Sequence, residues 1–219
     1  MNFIAATVVL KSTSPDPVTA YGLSYRTADA VIPAGSGPSE VRVRLLCYDR
    51  AGAKLDSFTG WKEGNRALIT GNLVFSDDTS KPYDLIVSTI ETNIPQDMYC
   101  NQVVLGNAFF GDDRVTERKN SQLAVKIGTT LDNSDVVTWL YLETHDSRKA
   151  KLEDRLRKGR PICVQGYLRE YRKDDNDSPY RAIVASDFTT RKDSKRSNRN
   201  PQTNGSAAGY NEVDPTPDY

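Results

Sequence analysis

Short stretches of alternating apolar and polar residues fill most of the chain, which is the pattern of half-buried β-strands. They follow one order twice: three strands, a short helix, and a hairpin of two further strands. In the first half these elements are predicted at 4–11, 21–31, 41–48, 51–58, 67–75 and 83–90. In the second half they are predicted at 102–110, 122–129, 136–143, 147–156, 162–171 and 180–188.

The repeat is visible in the residues as well as in the pattern. Segments 62–73 and 157–168 both run from charged residues through a glycine into an apolar-rich strand that holds a second glycine, at an offset of 95 residues. The same offset carries Val8-Val9-Leu10 onto Val103-Val104-Leu105. A period of this length indicates a duplicated domain, because solenoid repeats are shorter.

Three strands, a helix and a hairpin are the element order of the OB-fold, a five-stranded Greek-key barrel. We therefore predict a mostly β protein with two tandem OB-fold barrels, at 1–95 and 98–190. Gly71 and Gly166 lie inside predicted strands. We expect them to allow the sharp strand bends of a small barrel, and a bulge is the alternative.

The last 29 residues differ in composition from the rest of the chain. Residues 191–209 are rich in Arg, Lys, Ser, Asn and Gly and hold almost no large apolar side chain, and 211–219 are acidic and end in a tyrosine. Such a segment buries too little surface to offset the entropy of ordering it. We predict a disordered tail at 191–219 with an acidic tip.

Charge and cysteine usage exclude several function classes. Basic and acidic residues number 29 each, so attraction to an anionic partner has to come from local clusters. The widely separated Cys47, Cys100 and Cys163 and the single His145 offer no zinc-ligand set and fit a reducing compartment. The apolar run 3–10 is too short to span a membrane, so we expect a cytoplasmic protein without a membrane partner. No catalytic motif is present, and we expect neither an enzyme nor a cofactor.

Aromatic and basic residues share one face of the second predicted barrel. Trp139 and Tyr141 stand two apart on its third strand, and Tyr167, Arg169 and Tyr171 alternate along its fourth. Residues two apart on a strand point to the same side, and the apolar residues of strand three have the opposite parity. Rings stack on bases, at about 1–3 kcal/mol per base, and cations pair with phosphates. We predict an exposed nucleic-acid platform, with core packing as the alternative.

Two basic stretches adjoin this face. Arg172 and Lys173 open the loop after the fourth strand and extend the candidate site. Segment 148–160 is densely basic, interrupted only by Glu153 and Asp154. It adds a local positive field, either through direct phosphate contacts or as a solvated helix face.

The first barrel lacks most of these residues. At the offset of 95, the five face residues align with Arg44, Leu46, Asn72, Val74 and Ser76. Arg42 and Arg44 remain as candidate phosphate contacts. We expect the first barrel to bind weakly or to pair with another barrel, and we expect Trp61 to pack in its core.

The second copy resembles the bacterial single-stranded DNA-binding protein family, in its two-OB-domain form. The resemblance is carried by Asn101-Gln102-Val103-Val104-Leu105, Asp112, Val137-Thr138-Trp139, Leu152 with Leu156, and the run from Lys158 to Arg169. It covers residues 101–188 well and the first copy in outline. It implies that Trp139, Arg169 and the strand-four and loop residues contact DNA. It also implies an assembly of four barrels, hence a homodimer.

The resemblance extends to the end of the chain. In the family, an acidic tail tip that ends in Pro-Phe recruits replication and repair proteins. This chain ends in Asp-Pro-Thr-Pro-Asp-Tyr, so Asp214, Asp218 and Tyr219 are the candidate partner-binding residues.

The function expected is sequence-independent binding and protection of single-stranded DNA in replication, recombination and repair, in the cytoplasm at the nucleoid. One alternative is an OB-fold accessory module of a replication or recombination complex with weak nucleic-acid affinity. RNA is an alternative ligand, because stacking platforms accept both nucleic acids. An enzyme acting on nucleic acid has no motif to support it.

Overall fold

The computed structural model describes residues 2–34, 40–48, 62–74, 81–118, 122–130, 137–171 and 179–190. The predicted helix at 51–58, Trp61, Arg172, Lys173 and the whole tail lie outside these ranges. The first half contains β1 (Asn2–Ala20), β2 (Leu23–Ile32), β3 (Val41–Tyr48), β4 (Arg66–Val74) and β5 (Tyr83–Glu91). The second contains β6 (Asn101–Phe110), β7 (Thr116–Arg118), β8 (Gln122–Thr130), β9 (Val137–His145), a 3₁₀ turn (Asp146–Arg148), α1 (Lys149–Arg155), β10 (Pro161–Tyr171) and β11 (Tyr180–Thr190).

The strand pairing closes two barrels, and the predicted mostly β, two-barrel fold is confirmed. In the first barrel, β1 pairs with β2 and β4, β4 with β5, β5 in parallel with β3, and β3 with β2. In the second, β6 pairs with β8 and β10, β10 with β11, β11 in parallel with β9, and β9 with β8. Inward residues of both barrels form a continuous apolar core.

The barrels are joined by a shared ladder. β1 pairs antiparallel with β6, from Asn2 opposite Leu105 to Ala6 opposite Asn101, so that all eleven strands belong to one sheet. Side chains reinforce the junction: the Asn2 amide donates to the Thr129 hydroxyl at 2.8 Å. The relative placement of the two barrels is therefore set by backbone hydrogen bonds, which are costly to leave unpaired when buried.

Gly71 and Gly166 lie at matching β-bulges. The ladder shifts register between Thr70 and Gly71 and again between Gln165 and Gly166. An added β-carbon would meet a partner-strand carbonyl oxygen, at 2.1 Å for Gly71 and 2.2 Å for Gly166. The glycines are needed because the bulged partner strand passes too close for any side chain.

The first strand is longer than predicted. We expected it to end at residue 11, yet β1 continues to Ala20 and turns at Tyr21 and Gly22, both with positive φ. The two prolines of this stretch fall within a register shift between Ser14 and Val18. A proline that lies at a bulge costs no ladder hydrogen bond, so the hairpin continues past it.

The offset of the first strands differs from the predicted 95. Leu10 exchanges backbone hydrogen bonds with Gly64 and Asn65 before β4, and Phe110 does the same with Gly159 and Arg160 before β10. Leu10 thus corresponds to Phe110, and the predicted match of Leu10 with Leu105 is wrong. Leu105 and Phe110 are both buried apolar residues, so the sequence alone was equally compatible with a match of Leu10 to either of them.

Candidate nucleic-acid interface

Five neighbouring strands of the second barrel, β7 to β11, present their outward residues on one surface. Tyr141 of β9 lies opposite Lys126 of β8 and Ala182 of β11, and Tyr171 of β10 lies opposite Tyr180 of β11. Residues paired across a ladder share a face, and alternation adds every second residue along each strand. We call this surface the platform; it consists of Arg118, Lys126, Trp139, Tyr141, Tyr167, Arg169, Tyr171 and Tyr180.

Trp139 is half-buried at one end of the platform, and its ring packs against two glycines. A β-carbon at Gly111 would come within 2.4 Å of the indole, and one at Gly128 within 2.9 Å. Phe109 packs edge-on against the indole, with ring centroids 5.7 Å apart. The Lys126 ammonium lies 4.8 Å from the indole centroid, within cation–π range. The ring is thus held by its surroundings while remaining partly open to solvent.

Three tyrosines form a row beside it. The rings of Tyr141 and Tyr180 are 5.1 Å apart, and those of Tyr180 and Tyr171 are 6.2 Å apart, with interplanar angles of 37° and 33°. The Arg118 guanidinium lies 4.4 Å from the Tyr180 ring centroid, and that of Arg169 lies 4.0 Å from the Tyr171 centroid. Tyr141 is 38% exposed, so this row offers aromatic faces and fixed positive charge together.

A carboxyl group is buried beneath the row. Glu143 lies on the same face of β9 as Tyr141 and is buried next to Tyr180. Desolvation by burial raises the pKa of Glu143, and the nearby Tyr180, Arg169 and Arg118 oppose this rise by favouring the carboxylate. Burial likewise raises the pKa of the Tyr180 phenol, which therefore stays neutral at physiological pH.

The five residues predicted on the second barrel come together as a group. Trp139, Tyr141, Tyr167, Arg169 and Tyr171 all lie on the platform, outside the apolar core. The sequence reasoning missed Tyr180, Lys126 and Arg118. The alternation of residues along the strands would have identified Tyr180, since it lies opposite Tyr171 in the predicted hairpin. Arg118 could not be found in this way, because its strand β7 has no alternation of apolar and polar residues.

The two arginines predicted on the first barrel do not belong to this surface. Arg44 makes a bidentate ion pair with the buried Asp84, at 2.8 and 2.7 Å, and Tyr21 donates a hydrogen bond to the same carboxylate. The hydrogen bonding of Arg44 to Asp84 raises the pKa of the Arg44 guanidinium. Arg42 instead donates from Nε to Glu170 of the second barrel at 3.1 Å. Both guanidinium groups are already paired with carboxylates.

Strand register also corrects the alignment of the two barrels at this face. The matched bulges align β5 with β11, so that Asp84 is equivalent to Ala182. Arg44 lies opposite Asp84, as Tyr141 lies opposite Ala182. Arg44 is therefore equivalent to Tyr141, and the predicted match of Tyr141 with Leu46 is wrong.

By the same register, Arg42 and not Arg44 is equivalent to Trp139. The error is two residues. The first copy has two more residues than the second between its third strand and the glycine turn at Gly64 or Gly159, which a single offset does not allow. The conclusion that the first barrel lacks the platform rings is unchanged.

The basic segment 148–160 is largely engaged with acidic and backbone groups. Lys149 pairs with Glu117 at 2.5 Å, and Lys151 pairs with Asp187 at 3.1 Å. The guanidinium of Arg160 donates to a backbone carbonyl at 2.9 Å. These contacts favour the interpretation of this segment as a solvated helix face.

Comparison with solved structures gives a match over nearly the whole chain. The single-stranded DNA-binding protein from Thermus aquaticus superposes with a TM-score of 0.57 at 19% identity, covering 94% of this chain and 97% of that one. The chain has the fold of this DNA-binding protein. A deletion mutant of the T. aquaticus protein matches with a TM-score of 0.55 at 19% identity, covering 87% and 94%. The predicted resemblance to the bacterial family is thus confirmed at the level of the fold.

No protein-family model and no curated protein sequence matches this chain.

Proposed function

We propose that this protein binds single-stranded DNA without sequence preference and protects it during replication, recombination and repair. The observation that carries the proposal is the tyrosine row of the platform, flanked by Arg118 and Arg169, on a barrel with the fold of a single-stranded DNA-binding protein. Unpaired bases need flat faces to stack on, and the phosphates between them need cations.

The spacing of the rings supports sequence tolerance. Rings 5.1 and 6.2 Å apart are too close to admit a base between them without movement, so bases stack on the exposed faces of Tyr141 and Trp139 and on Tyr167. Every base has an aromatic face, so stacking alone does not select among bases. Guanidinium groups held by rings keep their charge and orientation for phosphate contacts.

The assembly we propose is a homodimer of four barrels. The shared ladder of β1 and β6 has an outward face on which Phe3 lies opposite Val104 and Ala5 opposite Gln102. Val104 is 37% exposed, and Phe3 and Ala5 are half-buried. A partly exposed apolar strip on a sheet is the type of surface that a second copy of the sheet covers.

The remaining partners follow from the same proposal. Replication and repair proteins bind the tail tip through Asp214, Asp218 and Tyr219. Within the described ranges, no helix is both long and apolar enough to cross a membrane. We place the activity in the cytoplasm at the nucleoid, without a catalytic step.

Titration with oligo-dT, followed by tryptophan fluorescence and repeated at several salt concentrations, tests this function. We expect quenching on binding, and an affinity that falls as salt rises, with a log–log slope of about −0.7 per phosphate neutralised. Oligo-U in competition distinguishes DNA from RNA. The absence of both quenching and a mobility shift with a long oligonucleotide would contradict the proposal and favour the accessory-module alternative.

A further inference from the structure

The hairpin of β10 and β11 has two functionally different faces. One face carries Arg169, Tyr171 and Tyr180 of the platform. The other carries Glu170 and Arg181, which lie directly opposite each other in the ladder. Both are charged and both are buried, at 1% and 7% exposure. A charged pair in this position requires an explanation, because burying charge costs several kcal/mol per ion unless it is paired.

The explanation lies in the first barrel. Glu170 accepts a hydrogen bond from Arg181 Nε at one carboxylate oxygen and from Arg42 Nε at the other, each at 3.1 Å. Arg42 belongs to β3 of the first barrel. The Arg181 guanidinium in turn lies 4.7 Å from the ring centroid of Tyr83, which is a buried residue of β5 in the first barrel. The face of the hairpin that carries Glu170 and Arg181 is thus attached to the first barrel by an ion pair and by a cation–π contact.

This attachment bears directly on the platform. Glu170 lies between Arg169 and Tyr171 in the chain, so a contact that fixes the Glu170 side chain also fixes the backbone that carries both platform residues. Just before them, the Asn101 side chain hydrogen-bonds both the N–H and the C=O of Leu168, each at 3.0 Å. The strand is therefore held on both sides of Arg169 by groups that do not face the ligand.

We propose that Arg42 is a positioning residue for nucleic-acid binding: it holds Glu170 and thereby orients Arg169 and Tyr171 on the opposite face of the hairpin. This inference rests on the proposed function of the platform. It gives the first barrel a role that does not require it to contact the ligand. At the position of the platform tryptophan, the first barrel carries the arginine that supports the neighbouring barrel's platform.

The test compares Arg42→Met, Glu170→Gln and the double variant with the wild-type chain. The control is Arg44→Met, which removes a neighbouring arginine of β3 whose ion pair stays within the first barrel. Three quantities are measured: affinity for oligo-dT, its dependence on salt, and hydrogen exchange of the β10 and β11 amides in the free protein.

We expect Arg42→Met to weaken binding by about 2- to 30-fold, the range for residues that act through others. The salt slope should remain that of the wild type, because a positioning residue neutralises no phosphate. Exchange in β10 and β11 should rise with Arg42→Met and not with Arg44→Met. The double variant should lose no more affinity than the more affected single variant, since both single variants remove the same Arg42–Glu170 contact.

Three results would overturn the inference. A salt slope reduced by about 0.7 would make Arg42 a direct phosphate ligand. Losses that add in the double variant would mean that the two residues act separately. Unchanged exchange in the hairpin would mean that the contact positions nothing, and this readout needs no ligand. Wild-type protein that fails to bind oligo-dT contradicts the proposed function instead, and leaves the exchange experiment to decide the contact itself.

Discussion

The indole of Trp139 rests against Gly128, where an added β-carbon would come within 2.9 Å of the ring. The same β-carbon would lie 2.6 Å from Phe109, so the two rings leave no room for it. Gly128→Ala should therefore displace Trp139, shift its fluorescence emission and weaken oligo-dT binding. Thr19→Ala, at an exposed position of β1 in the first barrel, is the control and should do neither. An unshifted emission spectrum in the Gly128 variant would show that the indole does not rest there.

Loss of the Trp139 ring should weaken binding far more than loss of the Arg44 side chain. Trp139→Ala removes a stacking surface worth about 1–3 kcal/mol, or about 5- to 150-fold in affinity. Arg44→Ala removes a guanidinium that is already paired with Asp84. Equilibrium titration of both variants with oligo-dT measures the difference. Equal losses would mean that the two barrels share the ligand.

The phosphate contacts should be visible in the salt dependence. Arg118 is exposed and lies over Tyr180, and it makes no ion pair with any residue in the described ranges. Its charge is therefore available to a phosphate. Arg118→Gln should lower the slope of log affinity against log salt by about 0.7. Lys149→Gln, which breaks the pair with Glu117, should leave the slope unchanged. A slope lowered by Lys149→Gln and not by Arg118→Gln would mean that the helix, and not the platform, contacts the phosphates.

Glu143 should make stability depend on pH in a defined direction. Burial raises its pKa, so the folded protein keeps this proton at pH values where the unfolded chain releases it. The stabilisation is complete below the ordinary glutamate pKa and is lost as pH rises through the raised value. Glutamine is neutral throughout. The free energy of unfolding of Glu143→Gln, relative to the wild type, should therefore increase as the pH rises above the ordinary glutamate pKa. A constant difference would mean that Glu143 has the same pKa in both states.

Much of the fold was predictable because its signals are local. Alternation located most of the strands, and the repeated glycine turn at Gly64 and Gly159 revealed the duplication. The length of β1 was not predictable from alternation, because most of the described side chains in its second half are exposed, whichever side of the strand they lie on. The β7 strand was missed for the same reason.

The candidate site was predictable only where one strand contains it. Trp139 with Tyr141, and Tyr167 with Arg169 and Tyr171, follow from parity alone. The ion pairs of Arg42 and Arg44 depend on Glu170 and Asp84, which are distant in sequence. Such pairs depend on the register between strands that are far apart in the chain. The two extra residues between β3 and Gly64 in the first copy were enough to shift the predicted match between equivalent residues of the two barrels.

The most direct test of the account is titration of two single-tryptophan variants, Trp61→Phe and Trp139→Phe, with oligo-dT, with the mass of the complex measured at saturation. If the platform binds the strand, Trp61→Phe retains the quenching and Trp139→Phe loses it, and the mass corresponds to a homodimer carrying the oligonucleotide. Quenching that persists in Trp139→Phe and disappears in Trp61→Phe would place the ligand on the first barrel and contradict the account.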